Sequence, residues 1–409
     1  MIDEKTSARI YLEQFEIAPN KYIIGVFEPG ISIKKQQVRA INIFEALTKC
    51  EILNHNNESN ISIGIIGAGI AGITFASAAL KSNYQVHLFE RQPSLLHLQE
   101  LCYTRRIYPH ITEWPEGFKT PYSELPFLAW KPDSAHNVST RLIKEYKYIV
   151  GQSKFKDSNC YKEYLSSKVE SIYDDDEKVK IVYSGQFGQK TVDVDLIIIA
   201  TGYGVERGTE HGAVPYWRNE AIDQTYISNG TDQKFSFFIS GTGDGGLIDL
   251  FRIAIKDFKY EVILDAIDSV PEKAKDLYNE LIKIHDEASR GTVANYVYKQ
   301  FDKLKNDIAY ILDYLNKHNL RRGYDIQLTG EKNLGDIFDI RYVTYINSFI
   351  AYLLHCGGYY SYKVGRYNLE KREFDGKILP KDVQVIIRHG TDVSVVLQEI
   401  QMSENEKNV

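Results

Sequence analysis

Three glycines and one acid carry the clearest chemical signal in the chain. Gly67, Gly69 and Gly72 form a GxGxxG turn, and Glu90 follows 23 residues after Gly67. Such a turn lets backbone amides approach a pyrophosphate at a helix N-terminus, and an acid at that distance can accept hydrogen bonds from a ribose. Gly67 permits the tight turn, Gly69 the close approach to a ligand, and Gly72 the packing of helix on strand. A plain structural turn is the competing reading. The elements around the turn favour the nucleotide: an apolar strand (Ile61–Ile66) precedes it, a helix carrying Ala76 and Ala79 runs to about Lys81, and a second strand (Gln85–Phe89) ends on Glu90.

Two later stretches have related character. Asp195-Leu196-Ile197-Ile198-Ile199-Ala200-Thr201-Gly202-Tyr203 is a continuous apolar run ending on small residues. This suits a strand buried on both faces whose end passes close to a ligand. Phe235–Arg252 (FSFFISGTGDGGLIDLFR) is another apolar strand meeting glycines at a helix start. Gly241, Gly243 and Gly246 make a second GxGxxG there. Tyr260–Asp265 is then a candidate second strand, with Asp265 24 residues after Gly241, or the continuation of a helix.

The totals narrow the function classes. A chain of 409 residues exceeds one ordinary core, so two or three lobes are expected. A net charge of −6 without a long basic run gives no reason to expect nucleic acid. The four cysteines, Cys50, Cys102, Cys160 and Cys356, form no CxxC, which argues against a disulfide framework, a cysteine-cluster zinc site and a dithiol redox pair. The charged N-terminus and the lack of a long apolar run point to a cytoplasmic protein without a membrane span. No metal site is expected: Asp174-Asp175-Asp176 reads as a solvated turn, because three successive residues do not converge on one ion.

Elsewhere the pattern is structural. Tyr22–Phe27 reads as a strand closed by Glu28-Pro29-Gly30, Ser32 to about Lys49 as a helix, and His55–Asn60 as a linker. Gln92–Asp133 lacks periodicity and is rich in proline and aromatics. Arg105, Arg106 and His110 lie in it, and Arg106 is a candidate for bidentate binding of a pyrophosphate or carboxylate, with a structural ion pair as the alternative. Val138–Val150 reads as a helix, and Val169–Tyr173, Val179–Tyr183 and Thr191–Ile199 as three short strands. Helices are expected over Pro271–Ser289, Val293–Leu320 and Ile340–Cys356, and strands over Tyr324–Gly330, Tyr359–Tyr367 and Val383–His389. The last strand is expected to rejoin the nucleotide domain and bring Arg388 and His389 with it, before a polar tail at Glu399–Val409.

With these residues in view, the chain resembles the superfamily of FAD-dependent oxidoreductases with the glutathione-reductase-type nucleotide fold. GIIGAGIAGITFASAAL…VHLFER is similar to its FAD-binding βαβ unit, and LIIIATGY to the Ala-Thr-Gly strand end of many members, flavin-containing monooxygenases among them. The resemblance implies an FAD site in which Gly67, Gly69, Ile70, Ala71 and Gly72 form the pyrophosphate turn. Glu90 becomes the adenosine-ribose acceptor and Thr201-Gly202 the close-approach strand end; Arg91 and Arg106 are further cofactor-binding candidates on their own chemistry. Gly243-Asp244 matches the motif whose acid bonds the ribityl chain. A second dinucleotide fold over Phe235–Asp265 is the alternative, and NAD(P)H enters as a further cofactor.

The fold expected is α/β: a Rossmann-like FAD/NAD(P)-binding parallel sheet with a β-meander crossover, plus a helix-rich α+β C-terminal lobe. The domains expected are an N-terminal extension (1–60), the nucleotide domain (61–268, meander 165–195), a helix-rich cap or substrate lobe (269–380), and a final strand with its tail (381–409). The function expected is an FAD-dependent oxidoreductase, a NAD(P)H-linked monooxygenase or dehydrogenase of a small molecule, with homo-oligomerisation left open. A non-catalytic FAD- or NAD(P)-binding sensor is the alternative. No catalytic residue is assigned, since flavin chemistry often needs none beyond the cofactor.

Overall fold

The computed structural model describes residues 3–25, 32–54, 61–118, 120–152, 160–175, 178–220, 222, 235–291 and 293–392. The Glu28-Pro29-Gly30 turn, the His55–Asn60 linker, Asp176 and the Glu399–Val409 tail lie outside them, as does the end of the Tyr22–Phe27 strand. The chain divides into two units: residues 1–109, 121–205 and 392–409 contribute to the first, and residues 110–120 and 206–391 to the second. This division falls at 205/206 where the sequence suggested a change near 268, because the strand Phe235–Ser240 belongs to a sheet of its own.

In the first unit the strands lie side by side in the order Tyr161–Tyr164, Gln85–Phe89, Ser62–Ile66, Leu196–Ile199, Lys21–Ile23, Glu16–Ala18, all parallel except the last pair. Ile63, Ile65, Leu88 and Ile198 pack on helices Ile33–Lys49 and Ile70–Lys81 through Leu47, Ile73 and Phe75. Ile66, Phe89, Ile197 and Ile199 pack on the other face with Val169, Ile172, Ile181 and Val194. Each fully buried aliphatic side chain here stabilises the unit by about 1.5–3 kcal/mol. The opposing layer is an antiparallel meander, Lys168–Asp175, Lys178–Gly185 and Gly188–Val194.

The expected single strand Thr191–Ile199 is split at Asp195. Gly188–Val194 stays in the meander, and Leu196–Ile199 enters the parallel sheet. The Asp195 carboxylate accepts from the amide and hydroxyl of Ser62, both at 2.8 Å, which ties the crossover to the first strand. Asp174 of the acidic turn pairs at 2.9 Å with Lys21, whose side chain is fully buried.

The second unit holds four parallel strands in the order Ser361–Val364, Tyr324–Gly330, Phe235–Ser240, Gln384–Ile387. In chain order this is 3-2-1-4, the arrangement of a doubly wound nucleotide fold. The final strand Gln384–Ile387 pairs with Phe235–Ser240, so it joins a strand within the 61–268 span, and the sheet it enters is this second one. Tyr260–Asp265 is helical within Tyr260–Asp268, with Tyr260, Ile263, Ala266 and Ile267 buried at helical spacing. The region expected as one helix over Val293–Leu320 is two, Tyr296–Lys303 and Ala309–His318, while Pro271–Ser289 forms as expected. The strap His110–Thr120 is anchored by Trp114, which is 1% exposed and packs against Tyr345 and Phe349.

Candidate functional site

In each unit one parallel strand, Ser62–Ile66 in the first and Phe235–Ser240 in the second, ends on a glycine turn at the point where strand order reverses. In α/β sheets ligands bind at that place. In the first unit, Gly67 adopts φ +102°, and a Cβ there would meet the carbonyl oxygen of Ala200 at 2.4 Å. A Cβ on Gly72 would meet the Gly67 carbonyl oxygen at 1.9 Å. In the second unit, Gly241 adopts φ +126°, and its Cβ would meet the Arg388 carbonyl oxygen at 2.0 Å; a Cβ on Gly246 would meet the Gly241 oxygen at 2.0 Å.

The hydrogen bonds repeat as well. The Gly67 amide donates to Phe89 O at 2.8 Å and the Gly241 amide to Thr329 O at 2.9 Å. Ala200 N donates to Ile66 O, and Arg388 N to Ser240 O, both at 2.7 Å. Ala200 and Arg388 therefore hold equivalent places, as do Phe89 and Thr329, and Glu90 corresponds to Gly330. The same cradle is built twice.

Gly69 and Gly243 differ from their neighbours in both copies. Each is the N-cap of its helix, at φ −71° and −73°, where any residue is comfortable. Neither has a protein atom within 4 Å of the place a Cβ would take, and neither helix has a side-chain cap. A helix N-terminus normally recruits Ser, Thr, Asp or Asn to satisfy its amides. Packing thus dictates glycine at 67, 72, 241 and 246, but leaves 69 and 243 without an internal reason. A phosphate approaching the exposed amides supplies one.

Glu90 braces the first turn: its carboxylate accepts from Ala68 N and Gln92 N, each at 2.8 Å. Ile70 and Ala71 open the helix, Arg91 directly follows Glu90, and Thr201 and Gly202 continue the strand end that lies over Gly67, with the Thr201 nitrogen 3.1 Å from the Cβ position of Gly67. Arg106 is directed elsewhere: its Nε donates to Tyr108 Oη at 3.3 Å, and it faces Asp133 at 3.8 Å.

Gly243 and Asp244 belong to the second unit. The Asp244 carboxylate accepts from Thr344 N at 2.8 Å, Thr344 Oγ1 at 3.1 Å and Asn347 Nδ2 at 2.7 Å, so it caps helix Tyr345–Cys356. Burial pushes its carboxyl upward, against the opposing effect of those hydrogen bonds. Beside the first-unit strand Leu196–Ile199 stands Lys21–Ile23, not the strand leading to Asp244.

The second turn opens into a cavity of about 490 Å³ lined by residues that include Thr242, Gly330, Lys332, Arg366 and His389. The sequence alone does not single out Lys332 and Arg366, because the end of the second strand is visible only once Tyr324–Gly330 is known to pair with Phe235–Ser240. Burial lowers the Lys332 ammonium below the usual lysine value. Arg366 faces Glu331 at 3.5 Å. Arg388, held by Asp249 at 2.7 Å and by Val214 O at 2.7 Å, braces the strand end. His389 Nε2 lies 2.8 Å from Ser240 Oγ, and burial lowers its pKa to about 4. Among the described residues, no cluster of His, Cys, Asp and Glu is arranged to hold a metal, and no helix is long and apolar enough to cross a membrane.

The chain is similar to known proteins at the level of family. A family model described as pyridine nucleotide-disulphide oxidoreductase matches residues 61–287. Among solved structures, the chain is similar to bacillithiol disulfide reductase from Bacillus cereus (12% identity, 85% of this chain and 83% of that one, TM-score 0.39). It is also similar to the anhydrotetracycline hydroxylase OxyS from Streptomyces rimosus (14%, 37% and 34%, TM-score 0.25) and to a ferredoxin reductase from Rhodopseudomonas palustris (16%, 38% and 27%, TM-score 0.22). The chain spans about a third of the hydroxylase and about a quarter of the ferredoxin reductase. No curated protein sequence matches it significantly. Since the family model takes in the first glycine turn, the meander, the Ala-Thr-Gly strand end and the second turn together, the chain belongs to the pyridine nucleotide-disulphide oxidoreductase family, whose members are FAD-dependent enzymes that use NAD(P)H.

Proposed function

We propose that the first cradle holds FAD, that the second takes NADPH, and that the enzyme is a monooxygenase or dehydrogenase of a small molecule. The observation that carries this reading is the pair of open, uncapped N-cap glycines, Gly69 and Gly243, one in each unit. Glu90, Arg91, Thr201 and Gly202 would line the flavin site with the Gly67–Gly72 turn. Bound flavin supplies the electron transfer; the protein supplies binding, orientation and electrostatics.

The ends of the two second strands support different dinucleotides. Glu90 accepts hydrogen bonds and suits an unmodified ribose. Its counterpart Gly330 has no carboxylate, and Lys332, two residues on, is a desolvated cation lining the same cavity. Glu331 lines that cavity as well but faces Arg366 at 3.5 Å, so the strand-end acid is missing at 330 and two cations stand nearby, which favours a 2′-phosphate. With no CxxC in the chain, electrons pass between nicotinamide, flavin and substrate without a protein dithiol of that kind.

The test is an anaerobic absorbance titration of the purified, FAD-loaded protein. NADPH should bleach the flavin band, and NADH should do so more weakly. Flavin that neither nicotinamide reduces would favour a nucleotide-binding sensor over the oxidoreductase proposed.

A further inference from the structure

The N-terminal segment bears on the first cradle in a way the glycine turn does not reveal. Lys21–Ile23 runs parallel to Leu196–Ile199, Ile24 N donates to Ile199 O at 2.9 Å, and both strands end at the edge where Gly67 turns. Beyond the strand, a Cβ on Gly25 would stand 3.0 Å from the Gly202 carbonyl oxygen. The 17-residue helix Ile33–Lys49 returns to the same edge: Arg39 Nη1 donates to Ile24 O at 3.3 Å. Its first turn contains no acid and carries Lys34 and Lys35, although a helix N-terminus favours negative charge.

Gln36 stands in that first turn. Its side chain is 6% exposed, and Nε2 has no hydrogen-bond partner among the described residues. Its neighbour Gln37 has a partner at each end of its amide, donating to Leu128 O at 3.0 Å and accepting from Trp130 Nε1 at 2.7 Å. A buried amide donor without a protein partner is costly, and such a group points to a ligand or an ordered water at that place.

Strand order says which part of a dinucleotide lies there. The Glu90 strand flanks Ser62–Ile66 on one side, and Leu196–Ile199 followed by Lys21–Ile23 flank it on the other. With adenosine ribose at Glu90 and pyrophosphate at Gly69, the remaining half of FAD extends past Thr201-Gly202 toward the Lys21–Ile23 strand, about 10 Å from the first strand at the usual strand spacing. We infer that the N-terminal segment forms the flavin-side wall of the first cradle, with the Gln36 amide donating to the flavin half of FAD. The inference rests on FAD occupying that cradle.

Binding of FAD and of ADP to the full-length apoprotein tests it, because ADP carries only the adenosine and pyrophosphate half. Gln36→Leu should weaken FAD binding about three- to tenfold, the range expected of one hydrogen bond, and leave ADP affinity unchanged. Gln36→Glu, which replaces the donor with an acceptor in the same volume, should weaken FAD in the same selective way. Gly69→Val should weaken both ligands. Unchanged FAD affinity in both Gln36 variants, or equal losses for FAD and ADP, would overturn the inference. Failure of the underlying reading looks different: the wild-type protein would bind neither ligand, or Gly69→Val would bind both normally.

Discussion

Gly67 is held by Ala200: a side-chain carbon on the glycine would stand 2.4 Å from that residue's carbonyl oxygen. Two residues on, Gly69 has no such neighbour within 4 Å. Chain packing therefore requires glycine at 67 and not at 69, where the proposed function supplies ligand approach as the reason, and substitution separates the two.

Gly69→Val should leave the thermal unfolding of the apoprotein within a few degrees of wild type, since its backbone is unstrained and its surroundings open. The same variant should lose flavin on gel filtration. Gly67→Val should instead destabilise the fold by several kcal/mol, of the order of about 3 or more, through overpacking against backbone at a positive φ. Equal behaviour of the two variants in paired melting and flavin-retention measurements would contradict the assignment.

Gly243→Val repeats the experiment in the second unit. Flavin content should stay at the wild-type level while NADPH loses its ability to bleach it. Loss of flavin from this variant would instead favour a flavin role for Gly243-Asp244.

Lys332→Ala tests the choice between nicotinamides. A charge-assisted hydrogen bond to a phosphate contributes about 1.5–3 kcal/mol, so the Kd for NADPH should rise about 10- to 100-fold. The Kd for NADH should not change. Isothermal titration of both dinucleotides reads the difference directly.

The legible part of this protein is the part written in short range. The first βαβ unit needs only neighbouring residues, and Leu196–Ile199 announces burial on both faces by being apolar throughout. Helix Ile33–Lys49 is readable from Ser32, whose Oγ accepts from Lys35 N at 3.1 Å, and from its apolar spacing. Pairing of Lys21–Ile23 with Ile197–Ile199 is not, because its partner lies far away in sequence. The second glycine turn is visible in the sequence, but the spacing after it misleads. Among the described residues five helices intervene before its second strand, so the acid sought at Asp265 falls inside a helix. Lys332 and Arg366 become candidates only through that strand's register.

Asp244 gives a stability test. Replacing it with alanine leaves Thr344 N and Asn347 Nδ2 without their acceptor, which should cost about 2–4 kcal/mol in urea unfolding. Asp244→Asn keeps an acceptor oxygen and should cost less.

Acid should destabilise the fold through two desolvated histidines, the buried His87 and the half-buried His389. Burial lowers both His87 and His389 to about 4, from an ordinary value of 6.5. Between those values the unfolded chain binds protons that the folded chain refuses, so stability is full above about 6.5 and falls as pH drops toward 4. His389→Gln should make melting temperature less sensitive to pH across that window. An unchanged pH slope would contradict the burial argument at that residue.

Two separate dinucleotide cradles on one chain are tested most directly by calorimetric titration of NADP⁺ into FAD-loaded protein. One NADP⁺ should bind per chain with the flavin fully retained, and that binding should vanish in Gly243→Val. Displacement of flavin by NADP⁺, or saturation at a single shared site, would contradict the two-cradle reading.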